Sequence, residues 1–134
     1  MAKLKILLID DEKDFLELMG RVIKMWGYDL ITALNGKDGI DAVKKKSPDI
    51  IILDYIMPDL DGLSTLKKIR RIDRKIPVIM FTAHPDGKSL GHTERLGVSS
   101  YIPKMSAYSD THATLKAAIE MATKKLGDRG LRDG

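Results

Sequence analysis

Cysteine is absent from the 134 residues, which excludes disulfides, cysteine-ligated zinc and thiol catalysis. That absence fits a cytoplasmic protein. Long apolar runs are missing too. The apolar stretch after Lys3 and Lys5 stops at Asp10, too short for a signal-peptide core or a membrane span. No internal repeat or low-complexity stretch interrupts the chain. Neither sign of charge dominates: 23 basic residues stand against 19 acidic ones, a net charge of +4. The excess is diffuse apart from Lys44-Lys45-Lys46 and the end of the chain, so no direct nucleic-acid contact is expected. Three histidines, His84, His92 and His112, share no metal-ligand spacing and read as surface residues. What remains, 43% hydrophobic and 31% charged residues, is the composition of one ordinary globular domain.

Apolar runs bounded by turn signals alternate with segments of helical period. Strands are predicted over Leu4–Ile9, Asp29–Ala33, Asp49–Asp54, Val78–Phe81 and Ser99–Ile102. Between them, Phe15, Met19, Val22 and Trp26 recur at helical spacing and Gly27 supplies a stop. A second helix follows Asn35-Gly36 through Ile40 and Val43, and Pro48 breaks it. Leu63, Leu66 and Ile69 mark a third. The segment holding Pro85, Gly87 and Gly91 is a poor helix former, yet it must cross over. Leu115, Ile119, Ala122 and Leu126 stripe the last helix. The seven methionines and Trp26 mostly fall on these stripes and read as core. Five strands alternating with five helices argue for an α/β fold with a parallel sheet covered on both faces. Right-handed crossovers suit the doubly wound, flavodoxin-like (βα)5 order 2-1-3-4-5. The domain is expected over residues 1–126, with 127–134 a short polar tail or the start of a linker.

In such sheets ligands sit beyond the carboxyl ends of the strands, where strand order reverses. Asp10, Asp11, Asp54, Thr82 and Lys104 all end apolar runs. Three carboxylates in one pocket repel each other unless a cation sits among them. Mg²⁺ suits the set, since it takes a few carboxylates together with waters and phosphate oxygens. Asp54, on the central strand with a turn behind it, is the choice for a nucleophile that forms an aspartyl phosphate. Asp10 and Asp11 would hold the metal. Lys104 would pair with the phosphate, and the Thr82 hydroxyl would donate to one of its oxygens.

These motifs resemble the receiver domain of two-component response regulators. The matching residues are Asp10-Asp11 after the first strand and Asp54 with Met57-Pro58 and Gly62 behind it. Thr82-Ala83 closes the fourth strand, and Tyr101 stands shortly before Lys104. The match runs from residue 4 to about residue 126. The resemblance implies a phosphorylation-dependent switch rather than an enzyme with external substrates. It implies that Asp54 accepts a phosphoryl group from a phosphohistidine on a sensor histidine kinase or phosphotransfer protein. It implies Mg²⁺ held by Asp10, Asp11, Asp54 and the Ile56 backbone carbonyl. Thr82 and Tyr101 would form the switch, and the fourth helix, fifth strand and fifth helix the output face. That face would meet a downstream protein or output domain, or a second copy on phosphorylation.

Three departures accompany the resemblance. Met105 follows Lys104 where the family usually has proline, and Pro103 precedes it, so the peptide bond there is open between cis and trans. The connection from Lys104 to Leu115 looks longer than usual. Ile56 and His84 stand where the family tunes phosphoryl lifetime, and the apolar Ile56 leans towards slow hydrolysis. Asp10-Asp11 would also suit a helix cap. Gly87-Lys88-Ser89 lacks the earlier glycine of a phosphate-binding loop, since Thr82 stands there. An aspartate-based phosphatase needs a second carboxylate where Ile56 stands. The rival of a different class is the N-terminal receiver piece of a DNA-binding regulator or of a hybrid kinase.

Overall fold

Aliphatic and β-branched runs pair into one parallel sheet in the computed structural model, which describes residues 3–55, 57, 61–82, 91, 93–103 and 108–133. Its strands are β1 (Lys5–Ile9), β2 (Asp29–Ala33), β3 (Ile50–Asp54), β4 (Val78–Thr82) and β5 (Ser100–Pro103), in the order β2-β1-β3-β4-β5. This is the doubly wound order predicted from the sequence, with strand bounds displaced by no more than about a residue. The central strands β3 and β4 are buried at every position, whereas the edge strands β2 and β5 are partly exposed. Burial on both faces explains why β1, β3 and β4 read as continuous apolar runs rather than alternating ones.

Helices α1 (Lys13–Met25), α2 (Gly36–Lys46) and α3 (Gly62–Ile72) and a C-terminal helix (Tyr108–Asp133) cover the sheet. Two cores result. One packs α1 and the C-terminal helix on Ile6, Leu8, Ile50, Ile52, Ile79 and Phe81; the other packs α2 and α3 on the opposite face. Each fully buried leucine or isoleucine contributes about 1.5–3 kcal/mol. The rings of Phe15 and Phe81 meet at a centroid distance of 5.4 Å.

Local signals set the helix ends. Asn35 Oδ1 accepts the Asp38 amide at 2.8 Å and starts α2; Ser47 then takes a left-handed conformation at φ 48°, and Pro48 ends the helical run. Gly27, at φ 96°, supplies the left-handed turn after α1 that favours glycine. Asp61 caps α3, its Oδ1 accepting from Ser64 N at 2.7 Å.

The phase of α1 differs from the predicted stripe. Leu16, Met19, Gly20 and Ile23 are its buried residues, while Phe15, Val22 and Trp26 pack only partly against the core. Apolar residues cover so wide an arc of α1 that spacing alone leaves the phase open. Met25 and Met121 are exposed at 84% and 62%, so those two methionines lie outside the core expected of them. His112 is half-buried rather than on the surface; His84 and His92 fall outside the described residues. The C-terminal helix does not stop at Leu126 but continues to Asp133. Gly127 and Gly130 each cost about 1 kcal/mol relative to alanine, but no proline blocks propagation, and each further residue adds a backbone hydrogen bond. Of the predicted fourth helix, residues 91 and 93–95 are helical and 83–90 lie outside the described residues.

Arg70 ties α3 to the β4–β5 side of the fold. Its guanidinium donates to the carbonyls of Leu96 at 2.7 Å, Ile76 at 2.7 Å and Gly97 at 3.1 Å. Burial holds the Arg70 pKa below its ordinary value, with the Asp73 carboxylate pulling it back up. The fork of guanidinium donors suits several carbonyls at once in a way an ammonium does not.

Candidate functional site

Parallel register brings the strand ends into line. Ile9 lies opposite both Ala33 and Leu53, Asp54 opposite Phe81, and Thr82 opposite Pro103. Asp10, one residue beyond β1, is anchored by its amide to the Ala33 carbonyl at 3.1 Å. Its side chain is therefore delivered beside that of Asp54, at the end of the neighbouring strand. The Tyr55 amide donates to Phe81 O at 2.8 Å, extending the β3–β4 ladder just past Asp54.

Carboxylate oxygens of Asp10, Asp11 and Asp54 all lie within 4.8 Å of one another. Asp10 is 1% exposed and Asp54 4%, while Asp11 is exposed. Two buried carboxylates and a third at the rim concentrate negative charge where water is scarce. Such a cluster costs free energy unless cations or donors offset it. The Glu12 amide supplies one donor, to Asp10 Oδ1 at 2.9 Å. Helix capping does not account for the pair: the N-cap of α1 is Glu12, with no side-chain cap bond. Hard oxygen donors at this spacing fit a small divalent cation such as Mg²⁺.

The turn behind Asp54 depends on Gly62. Its amide donates to Tyr55 O at 2.7 Å. A Cβ there would fall 2.5 Å from Tyr55 Cα and 2.9 Å from the Tyr55 carbonyl oxygen, and closer still to the carbonyl of Asp54. Only glycine lets α3 begin this close to the backbone that carries Asp54.

Thr82 is fully buried at the end of β4. Side-chain alternation puts Thr82, Met80 and Tyr101 on the same face of the sheet, because Met80 pairs with Tyr101 and Thr82 with Pro103. Tyr101 is half-buried against the α2–α3 core. The arrangement thus brings together Asp10, Asp11 and Asp54, with Thr82 and Tyr101 on the adjoining strands. Lys104, Ile56 and His84 fall outside the described residues, as does the Lys104–Met105 bond.

A five-stranded doubly wound sheet with an acidic pocket at its switch point defines the class: a flavodoxin-like receiver fold. Residues 6–116 match the response regulator receiver domain family, and the chain belongs to it. It is 34% identical over 104 residues to sporulation initiation phosphotransferase F of Bacillus subtilis, covering 78% of this chain and 84% of that protein. It is 33% identical over 117 residues to the alkaline phosphatase synthesis transcriptional regulatory protein PhoP of the same organism, covering 86% of this chain and 48% of that one. Among solved structures, a response regulator receiver domain protein from Clostridium thermocellum superposes with a TM-score of 0.77 at 30% identity. That likeness covers 92% of this chain and 98% of the other. The chain spans about half the length of the first curated relatives it matches. It is a receiver domain of two-component signalling, a signalling fold rather than a member of a catalytic enzyme family. Among the described residues no helix is long and apolar enough to cross a membrane.

Proposed function

We propose that Asp54 is the phosphoacceptor of a Mg²⁺-dependent switch, loaded by the phosphohistidine of a sensor kinase or phosphotransfer protein in the cytoplasm. The observation that carries this reading is the clustering of three carboxylates within 4.8 Å, two of them buried. Asp10, Asp11, Asp54 and the Ile56 carbonyl would hold the metal. When bound, Mg²⁺ supplies positive charge that offsets both the carboxylates and the incoming phosphoryl oxygens.

An Asp54 carboxylate oxygen attacks phosphorus as the phosphorus–nitrogen bond breaks. The imidazole keeps the electron pair and takes a proton from solvent. Nothing is oxidised or reduced. Lys104 and the Thr82 hydroxyl would hold phosphoryl oxygens, so catalysis is chiefly positioning and charge stabilisation. Movement of Thr82 towards the phosphoryl group would free space on the face it shares with Tyr101. The ring then turns inward and shifts the population of a two-state element. The readout would be the surface of the fourth helix, β5 and the C-terminal helix, offered to a downstream protein, an output domain or a second copy. Hydrolysis would be slow, because Ile56 cannot orient water.

Intact-protein mass after incubation with acetyl phosphate tests this. One added phosphoryl group that requires Mg²⁺ and is lost in Asp54→Asn is the expected result. Labelling that persists in Asp54→Asn, or no adduct from either acetyl phosphate or a kinase phosphohistidine, overturns it. A half-life of seconds for the adduct would overturn the hydrolysis claim alone.

A second reading rests on length. The curated relatives spanned to about half include transcriptional regulators, so the domain also suits the receiver portion of a DNA-binding regulator. Its own surface is then not the DNA contact; specific binding of duplex DNA by this chain would count against both readings.

A further inference from the structure

Among the described residues β2 ends the sheet and pairs only with β1. Asp29 N donates to Leu4 O at 2.9 Å, and Asp10 N to Ala33 O at 3.1 Å. With the register running from Lys5↔Asp29 to Ile9↔Ala33, Asp29, Ile31 and Ala33 turn their backbone groups towards β1. Leu30 and Thr32 therefore turn theirs outward. Edge strands are commonly guarded by proline, bulges or their own charged side chains. β2, with the sequence DLITA, has only Asp29 at its start.

Beside this edge, α1 and β2 bound an open groove of about 510 Å³. Its apolar part includes half-buried Leu30 and Leu34, the latter 47% exposed. Along α1 its rim carries Lys13, Arg21 and Lys24 against the single carboxylate Glu17, all exposed. On the α2 side of the same strand, Lys45 and Lys46 are balanced by Asp38 and Asp41, while at the start of β2 Lys5, Lys45 and Lys46 stand against the single carboxylate Asp29. A basic bias thus flanks the edge along α1 and at the start of β2. Outward donors and acceptors, an apolar floor and a cationic rim run parallel to one another along β2.

We propose that this edge docks an extended acidic segment of a partner protein, which adds to the sheet as a further strand beside β2. Backbone hydrogen bonds from Leu30 and Thr32 would hold the segment. Alternate side chains would enter the groove, where acidic groups meet Lys13, Arg21 and Lys24. Complementary charge then selects an acidic partner over a basic one. The surface uses no residue of the acidic pocket, so its test is independent of phosphorylation.

The test is nuclear magnetic resonance on the isotope-labelled full chain, titrated with a short capped peptide alternating glutamate and valine. A lysine–valine peptide and duplex DNA serve as the alternative ligands. Amide shifts confined to β2 and the groove side of α1, with slowed hydrogen exchange at Leu30 and Thr32, are expected. Affinity should fall about tenfold in the double variant Arg21→Glu/Lys24→Glu, since each exposed charge contact contributes only modestly. Thr32→Pro, which removes one outward N–H at an edge position, should weaken binding as well. If that variant does not fold, the charge reversal at exposed helix positions decides alone. Shifts elsewhere, no binding, equal binding of the lysine peptide, or affinity indifferent to charge reversal would overturn the proposal. Duplex DNA displacing the peptide from the same residues would assign the rim to nucleic acid and overturn it too.

Discussion

Replacing Asp54 with asparagine should make the metal-free protein more stable while abolishing its phosphorylation. Asp10 and Asp54 are almost fully buried, with carboxylate oxygens no more than 4.8 Å apart. Two unit charges at that separation repel by about 3.5 kcal/mol at an effective dielectric of roughly 20. Asp11 is exposed, and solvent screens its pairs. Part of the gain is lost, because Asp54 has other partners in the fold. An amide keeps only some of what a carboxylate accepts, a loss of about 1–2 kcal/mol. The balance is a stabilisation of about 1.5–2.5 kcal/mol, or roughly 5–9 °C in Tm for a domain of this size.

Urea unfolding followed by the fluorescence of Trp26, with chelator and at low ionic strength, measures the difference. Saturating Mg²⁺ should erase the variant's advantage, because ligand binding to the folded wild type adds stability that the variant gains less of. A variant equal to or less stable than wild type in chelator at neutral pH refutes the reasoning. It would mean that the carboxylates are already neutralised within the protein.

Arg70→Met should destabilise by about 2–4 kcal/mol in urea unfolding, since it strands the part-buried carbonyls of Leu96 and Ile76; Arg70→Lys should recover only part of that. Gly62→Ala should cost about 2 kcal/mol or more, because its Cβ meets rigid backbone at Asp54 and Tyr55. It should slow phosphoryl uptake as well, and a fully active, equally stable variant would contradict the close approach. Thr82→Ala should slow labelling by acetyl phosphate about tenfold to a hundredfold, the loss of one charge-assisted hydrogen bond. Its affinity for Mg²⁺, read by titration, should be unchanged.

Much of this architecture was legible because burial on both faces writes strands as unbroken apolar runs. Ile6-Leu7-Leu8-Ile9 and Ile50-Ile51-Ile52-Leu53 could be neither amphipathic helix nor half-buried strand. Once they were parallel neighbours, the polar residues that end them had to meet. Asp10, Asp11 and Asp54 were legible for that reason, without knowledge of any contact. The phase of α1 was not, because a helix with apolar residues at Phe15, Leu16, Leu18, Met19, Val22 and Ile23 offers several stripes. The sheet chose Leu16, Met19 and Ile23 among them. Arg70 was invisible for a different reason. Its partners are backbone carbonyls, two of them 26 and 27 residues away, and a carbonyl has no residue type for a pattern to register.

Position within the sheet separates the acidic pocket from the strand edges. A strand-end carboxylate inherits its position from a core that tolerates little movement: Leu53 and Ile9 are completely buried on either side of the register that fixes Asp54 and Asp10. Displacing either strand by one residue would drive its terminal carboxylate into the apolar core or pull it out of the pocket, at the cost of burying an unpaired charge or losing buried aliphatic surface. The acidic pocket is therefore held as tightly as the core itself. β2 and β5, at the sheet edges, carry no such constraint on their outer sides. Under the function proposed above, phosphoryl chemistry, which demands fixed geometry, would sit at the centre, and recognition of partners, which tolerates variation, would fall to the edges.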